Sequence, residues 1–223
     1  MEIPKNVQER ANNWLSGHFD EDTKSQVKYL MENEPEVLTD AFYKDLEFGT
    51  GGLRGIMGVG TNRMNIYTVG MATQGLCNYL KSNFSDRDEI KVVISHDCRN
   101  NSRLFAETTA KIFSANNVKV YLFDDLRPTP ELSYAIRHFN CQAGINITAS
   151  HNPKEYNGYK AYDEHGCQLV SPQDKAVMEE VQKIEDINDV EFEGLSNNIE
   201  SIGKEIDEKY LDALMDVSLS QEA

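Results

Sequence analysis

Long apolar runs are missing from this chain of 223 residues. No stretch has the length that a helix needs to cross a bilayer, so no membrane partner is expected. The N-terminus, Met1-Glu2-Ile3-Pro4-Lys5, has no apolar signal core, and a cytoplasmic location is the default expectation. Cysteine is scarce. Cys77, Cys98, Cys141 and Cys167 stand far apart without a Cys-x-x-Cys pair, which argues against a disulfide framework. Cys77 and Cys141 fall in apolar-periodic segments and read as core thiols. A basic stripe with interleaved aromatics is also lacking, so nucleic acid is not an expected partner. No His/Asp/Glu spacing resembles a complete metal site.

Positive charge is in short supply overall. The formal net charge is −15, and residues 174–223 hold 15 acids against 4 bases. That leaves only −4 for the first 173 residues. The acidity thus belongs to the C-terminal part and reads as a solvated surface.

What is present is a chain of short periodic segments. Ile3, Val7, Ala11 and Trp14, then Val27, Leu30 and Met31, then Val37, Leu38, Ala41 and Phe42 keep helical spacing. Residues 1–45 are expected as a helical extension that packs on the main domain. A helix is expected around Val69–Leu80, a strand at 91–95, a helix around Phe105–Phe113, a strand at 118–123, a helix around Leu132–Phe139 and a strand at 143–147. Alternation of this kind indicates an α/β fold with a mainly parallel sheet. Residues 158–162 and 167–170 read as two strands joined by a turn at 163–166. Ser171 and Pro172 are expected to open a helix, Ser171 as its cap and Pro172 as its first residue. Residues 46–185 form the expected main domain. Residues 186–223 are expected to hold an acidic linker and the start of a further domain, ending in an amphipathic helix through Ile206, Tyr210, Leu211 and Leu214.

Two stretches stand apart from this regular pattern. In Thr148-Ala149-Ser150-His151-Asn152-Pro153, a hydroxyl sits where a buried strand gives way to a loop. Ligands bind at such carboxyl ends of strands in open α/β sheets. An ordinary polar turn is the alternative reading of this run. The other stretch is Phe48-Gly49-Thr50-Gly51-Gly52-Leu53-Arg54-Gly55-Ile56-Met57-Gly58. Its glycines are costly unless the backbone must bend sharply or let something approach closely. Backbone N–H groups and a guanidinium there could receive a phosphate. A tight hairpin with a structural arginine is equally open. The stretch is not a phosphate loop of the Gly-Lys-Ser/Thr kind. Nor does it complete the dinucleotide fingerprint, because Arg54 stands where a third glycine would fall.

A third loop, His96 to Ser102, comes after the 91–95 strand. Together the three loops offer Ser150, Arg54, Arg99, Arg103, Lys154, Lys160, His96 and His151. A hydroxyl among fixed cations suits phosphoryl transfer, where positioning and charge supply most of the catalysis. Lys154 reads as a solvated lysine, and His96 and His165 read as turn residues. Arg99 has two readings: a phosphate ligand, or a structural partner of Asp97 or Glu107.

These residues resemble the α-D-phosphohexomutase superfamily. Thr148–Pro153 matches its phosphoserine motif, Phe48–Gly55 its early arginine loop, and Asn157-Gly158-Tyr159-Lys160 comes at the family's usual distance. Residues 47–64 look most like the phosphoglucomutase-2/phosphopentomutase branch. The resemblance implies a three-layer α/β/α domain with a mixed, mainly parallel sheet, preceded by N-terminal helices. It implies that Ser150 carries a phosphate and exchanges it with sugar monophosphates through a bisphosphate such as glucose 1,6-bisphosphate. Lys160 would be the acid/base, Arg54 would stabilise the transferring group, and His151 would shape the catalytic loop. Thr50, Gly51, Arg99 and Asn152 would bind phosphate or substrate. Mg²⁺ would be held through the phosphate on Ser150. The family has four domains, and this chain would cover the first and the start of the second. The metal loop, the sugar-recognition loop and the C-terminal phosphate loop are not in the sequence, so domains 2–4 are expected partners and this chain alone is expected to be inactive. A non-catalytic phosphosugar-binding module and a nucleotide-binding domain are the alternatives.

Overall fold

The computed structural model describes residues 3–49 and 51–219, so Thr50 lies outside the described residues. Three helices come first: α1 (Lys5–Ser16), α2 (Glu21–Asn33) and α3 (Pro35–Phe42). Their apolar stripes, Val7, Ala11, Trp14, Val27, Leu38 and Phe42, close on one another. Tyr67 joins this cluster, and its hydroxyl donates to Asp20 at 2.6 Å. Asp20 is also the N-cap of α2, accepting from the Thr23 amide. One carboxylate thus starts a helix and ties the extension to the next element.

The alternating part comes next as β1 (Gly52–Ile56), α4 (Ile66–Asn83), β2 (Lys91–His96), α5 (Ser102–Ala115), β3 (Lys119–Phe123), α6 (Thr129–His138), β4 (Ala143–Ile147) and β5 (Tyr156–Asp163). Then come α7 (Gln173–Gln182), β6 (Ile199–Ile202) and α8 (Lys204–Val217). The sheet order is β1-β5-β4-β2-β3-β6. β4, β2, β3 and β6 run parallel, while β5 is antiparallel to both β4 and β1. Every residue of β4 is buried, as expected of a central strand covered on both faces. One face packs Val92, Ile94, Val120, Ile145 and Tyr159 beneath α4, α5 and α7. The other packs Val93, Phe123 and Tyr162 beneath Leu132, Ala135 and Ile136 of α6 and Ile206 of α8. This is the three-layer α/β/α arrangement with N-terminal helices that the sequence implied.

One open reading is resolved and three local expectations need correction. The glycine-rich stretch holds β1, an edge strand paired with β5, which glycine content hides from a propensity reading. Residues 167–170 form no second strand: one bridge joins Tyr162 to Gln168, because Asp163 caps the turn by accepting from the His165 and Cys167 amides. Helix α7 starts at Gln173, with Pro172 at the N-cap position and no cap from Ser171. The acidic stretch read as a linker contributes β6 to the sheet edge, in register with Val120–Phe123. No helix among the described residues is long and apolar enough to cross a membrane.

Candidate functional site

The site forms where β4 ends and the chain reverses into β5. Thr148 extends the ladder, its amide donating to the Gly158 carbonyl at 3.0 Å. Ser150 then takes the left-handed conformation, φ 55°, which is uncommon outside glycine and asparagine. Its amide donates to the Thr148 hydroxyl oxygen at 2.9 Å. Its own hydroxyl is left exposed, with His151 Nδ1 3.4 Å away. A left-handed residue at this corner turns the side chain outward while the backbone stays tied to the strand.

Strand register places two cations on the sheet beneath this corner. Arg54 lies opposite Gly158, and Lys160 lies opposite Gly52 on β1 and Asn146 on β4. Paired residues share a face and residues two apart share a face, so Arg54 and Lys160 project from the same side of the sheet. Gly52 makes the pairing possible: a Cβ there would stand 1.8 Å from the Tyr159 carbonyl oxygen. Gly51, at φ 71°, is likewise pressed against Leu169 and Gln168, and its carbonyl accepts from the Ala161 amide at 2.8 Å. The glycines expected to face a phosphate are therefore needed first for packing β1 onto β5.

Arg54 makes one side-chain hydrogen bond among the described residues, to Asn152 Oδ1 at 3.1 Å. The rest of its exposed guanidinium is uncommitted. Burial, and then the neighbouring Arg54 charge, push the Lys160 ammonium below the ordinary lysine range. A lowered lysine is better able to exchange protons near neutrality. Arg54, Lys160, Gly51 and Gly52 line a cavity of 590 Å³ that extends to Tyr43 and Lys44 after α3. Ser150 is outside that lining; the Arg54–Asn152 bond connects cavity and loop.

The remaining expected residues go elsewhere. Arg103 pairs with Glu107 at 2.6 Å and donates to the Phe123 and Asp124 carbonyls, away from the Ser150 loop. Lys154 is exposed. His96 is buried, with Nδ1 3.1 Å from the Asp97 carbonyl oxygen and Nε2 without a partner among the described residues. Arg99 is ion-paired with Asp97, not Glu107. Sequence reasoning overlooked Asp97 as a hub. It accepts from the Arg99 amide, the Ser102 hydroxyl and, at 2.6 Å, the Thr148 hydroxyl. Asn157 was also passed over. It donates to the Asn100 carbonyl and the Ser102 hydroxyl, and its Oδ1 accepts from the Gly158 amide. Asp97 stands at the end of β2 beside Arg99, and that position was the available signal.

For Mg²⁺ the residues present do not form a site. Among the described residues no group of three or more His, Cys, Asp or Glu comes together as a metal cage. The carboxylate tied to the loop, Asp97, is already filled by Arg99, Ser102 and Thr148.

The fold is a mixed α/β/α sheet with a strand-end serine loop beside an edge strand that bears Arg54. The family model described as phosphoglucomutase/phosphomannomutase, alpha/beta/alpha domain I, matches residues 45–188, and the chain belongs to this family. It is 43% identical over 177 residues to a phosphopentomutase of Homo sapiens, covering 76% of this chain and 29% of that protein. It is 36% identical over 211 residues to a phosphoglucomutase of Staphylococcus epidermidis, covering 92% of this chain and 37% of the relative. The crystal structure of a phosphomannomutase candidate from Thermus thermophilus superposes with TM-score 0.66 at 29% identity, covering 78% of this chain and 36% of that one. The chain thus spans about a third of the length of the proteins it matches. These relatives are mutases by name, a class of isomerase.

Proposed function

We propose that this chain is the phosphoserine-bearing part of a sugar-phosphate mutase, with Ser150 as the residue that takes and returns the phosphate. The observation that carries this reading is the exposed, left-handed Ser150 hydroxyl just past β4, with Arg54 bonded to Asn152 of the same loop and Lys160 beside Arg54 on one face of the sheet. A phosphoserine brings nearly two negative charges. Arg54, with most of its donors uncommitted, would hold the transferring phosphoryl group. Asn152 orients Arg54, and His151 beside the hydroxyl shapes the loop. Gly51 gives the entry to β1 its tight turn.

In the first half-reaction, a hydroxyl oxygen of a sugar monophosphate attacks the phosphorus on Ser150. A P–O bond forms to the sugar, and the P–O bond to Ser150 breaks. One proton leaves the sugar hydroxyl and one reaches Ser150 Oγ; Lys160 is the group suited to pass it. The bisphosphate then returns its other phosphate to Ser150 by the reverse steps. Phosphate has moved between C1 and C6 of a hexose, or C1 and C5 of a pentose. The names of the relatives span both sugar classes. No step is assigned to Mg²⁺, whose remaining ligands would come from outside these residues, as would the contacts that choose the sugar.

Phosphopeptide mapping tests the reading. The chain is mapped before and after incubation with glucose 1,6-bisphosphate and Mg²⁺. The same is done with residues 45–188 grafted in place of the matching domain of the S. epidermidis phosphoglucomutase. Phosphate on Ser150, removed by a sugar monophosphate and lost in Ser150→Ala, is the expected result. The chain alone is expected to show no sustained turnover. A bare Ser150 in a folded, otherwise active graft would overturn the assignment.

A further inference from the structure

Arg99 matches a position where a phosphate ligand was expected, yet its guanidinium faces inward. Nη1 donates to the carbonyls of Pro153 at 2.9 Å and Tyr156 at 3.1 Å. Nη2 donates to the carbonyls of Ser150 and Asn152, both at 2.7 Å. Nε stands 3.4 Å from Asp97 Oδ2. A guanidinium has five N–H donors; four are given to loop carbonyls, and the fifth, on Nε, faces the Asp97 carboxylate. The side chain is only 12% exposed. None of its four Nη donors remains for a phosphate.

The four carbonyls belong to one seven-residue loop, Ser150 to Tyr156. Without Arg99 that loop would hold several carbonyl oxygens facing one another with no shared partner. Asp97 completes the arrangement from the other side. Its Oδ2 takes the Thr148 hydroxyl proton at 2.6 Å, which leaves the Thr148 oxygen free to accept from the Ser150 amide at 2.9 Å. So the residue whose conformation is unusual, Ser150, is gripped on both sides of its Cα: the amide through Thr148 and Asp97, the carbonyl through Arg99. A left-handed serine persists only where its surroundings over-determine it.

We propose that Asp97, Arg99 and Thr148 are positioning residues that hold Ser150 in its left-handed, outward-facing conformation, and that Arg99 binds loop backbone instead of phosphate. The proposal rests on the phosphoserine reading for its chemical consequence, while the geometry it predicts can be read without any chemistry. Arg99 acts through Ser150 and touches no reacting atom.

The test uses the whole chain and its Arg99→Lys, Thr148→Val and Thr148→Ser variants, each checked for an unchanged far-ultraviolet spectrum. Three readouts are taken: amide hydrogen exchange and ¹³C shifts over residues 148–157, affinity for inorganic phosphate, and the rate of Ser150 labelling by glucose 1,6-bisphosphate in the grafted protein. Arg99→Lys keeps the charge but cannot span four carbonyls. It should speed loop exchange about 10- to 100-fold and move the Ser150 ¹³Cα and ¹³Cβ shifts out of their left-handed pattern. Phosphate affinity should change less than about twofold, and labelling should slow in step with the loop. Thr148→Val should act in the same direction, and Thr148→Ser, which keeps the hydroxyl, should restore both readouts. Loop exchange and shifts that stay unchanged in Arg99→Lys, with phosphate affinity falling, would overturn the proposal and return Arg99 to the phosphate. Loop changes as expected, in a graft whose unsubstituted form never labels Ser150, would uphold the positioning roles and sink the phosphoserine reading.

Discussion

On the parallel side of the sheet, β2 and β3 are filled with Val92, Val93, Ile94, Val120 and Leu122. On the antiparallel side, β1 and β5 put Gly52, Gly55 and Gly158 in comparable places. Side chains hold the first half together, burying branched apolar groups against helices on both faces. The second half buries Leu53, Tyr159 and Tyr162 as well, but adds contact of backbone with backbone at its glycines. A Cβ at Gly158 would meet the Thr148 and Leu53 carbonyl oxygens at 2.6 and 3.0 Å. The apolar half makes a scaffold; at its glycines the other half trades side-chain packing for close approach, and the close approach sets Arg54 and Lys160 on one face, with Arg54 reaching the serine loop.

This contrast can be broken most directly by adding one carbon. Gly52→Ala places a Cβ 1.8 Å from the Tyr159 carbonyl oxygen at φ 153°, where neither atom can yield without parting β1 from β5. A loss of about 4 kcal/mol or more is expected in urea unfolding. Gly144→Ala on β4 meets side-chain atoms instead, Ile136 Cδ1 at 2.3 Å and Cγ1 at 2.7 Å and Leu132 Cδ1 at 3.4 Å. Side chains can repack where backbone cannot, so a smaller loss of about 1 to 3 kcal/mol is expected. Equal losses would remove the distinction between backbone-packed and side-chain-packed halves.

A second, smaller effect lies under the parallel half, where α6 meets α8. Arg127 donates to Asp207 at 2.5 and 2.8 Å and to Asp124 at 3.1 Å. Glu131 lies 3.8 Å from Arg127 and is buried. From α5, Arg103 faces the same corner but donates to backbone carbonyls there. Burial, with a hydrogen bond to Asp207, pushes the Glu131 carboxyl up to about 7 from an ordinary 4.5. A carboxyl raised in the folded state contributes stability when protonated. The contribution is fully present below the ordinary value and is lost as pH rises through about 7. The melting temperature and the protection of α8 amides should therefore fall between pH 5 and pH 8, and Glu131→Gln should flatten that dependence. A profile that keeps its slope in Glu131→Gln would assign the effect to other groups.

The smallest expected effect sharpens the glycine half. Arg54→Ala removes the positive neighbour of Lys160, so the Lys160 pKa should rise. The rise should be partial, because burial is the larger cause and remains. A ¹³Cε titration of Lys160 reads this directly; no rise, or a fall, would contradict the shared-face geometry, and a full return to the ordinary lysine value would contradict burial as the larger cause.

The two halves also differed in how far the sequence disclosed them. β2, β3 and β4 were legible because branched apolar residues recur with strand period between helical stretches. β1 was hidden, since Gly-Leu-Arg-Gly-Ile shows turn composition and becomes a strand only by pairing with β5. β6 was hidden for another reason: Ile-Glu-Ser-Ile lies in an acidic stretch, and its value comes from capping the sheet beside β3. At the site, Ser150, Arg54 and Lys160 could be named from motifs. The Asp97–Thr148–Ser150 connection could not, because it joins residues 51 positions apart through side chains that look like ordinary turn formers. Arg99 showed its charge in the sequence but not its direction, which depends on four carbonyls gathered by the fold.

The pairing of Lys160 with Asn146 on one side and Gly52 on the other makes the location of an amine a matter of counting. Strand faces alternate, so the side of the sheet on which Lys160 emerges is decided by odd or even. A slip of one residue in β5 would send the amine to the α4 side and bring the Tyr159 ring to the Ser150 side. Two slips would restore the side but shift the amine along the strand by about 7 Å. The contacts at Gly158 oppose both outcomes, since any other residue of β5 moved into its place would bring a Cβ to about 2.6 Å from the Thr148 carbonyl oxygen. An insertion between Asn157 and Lys160 changes a parity. Length variation is therefore not expected within β5.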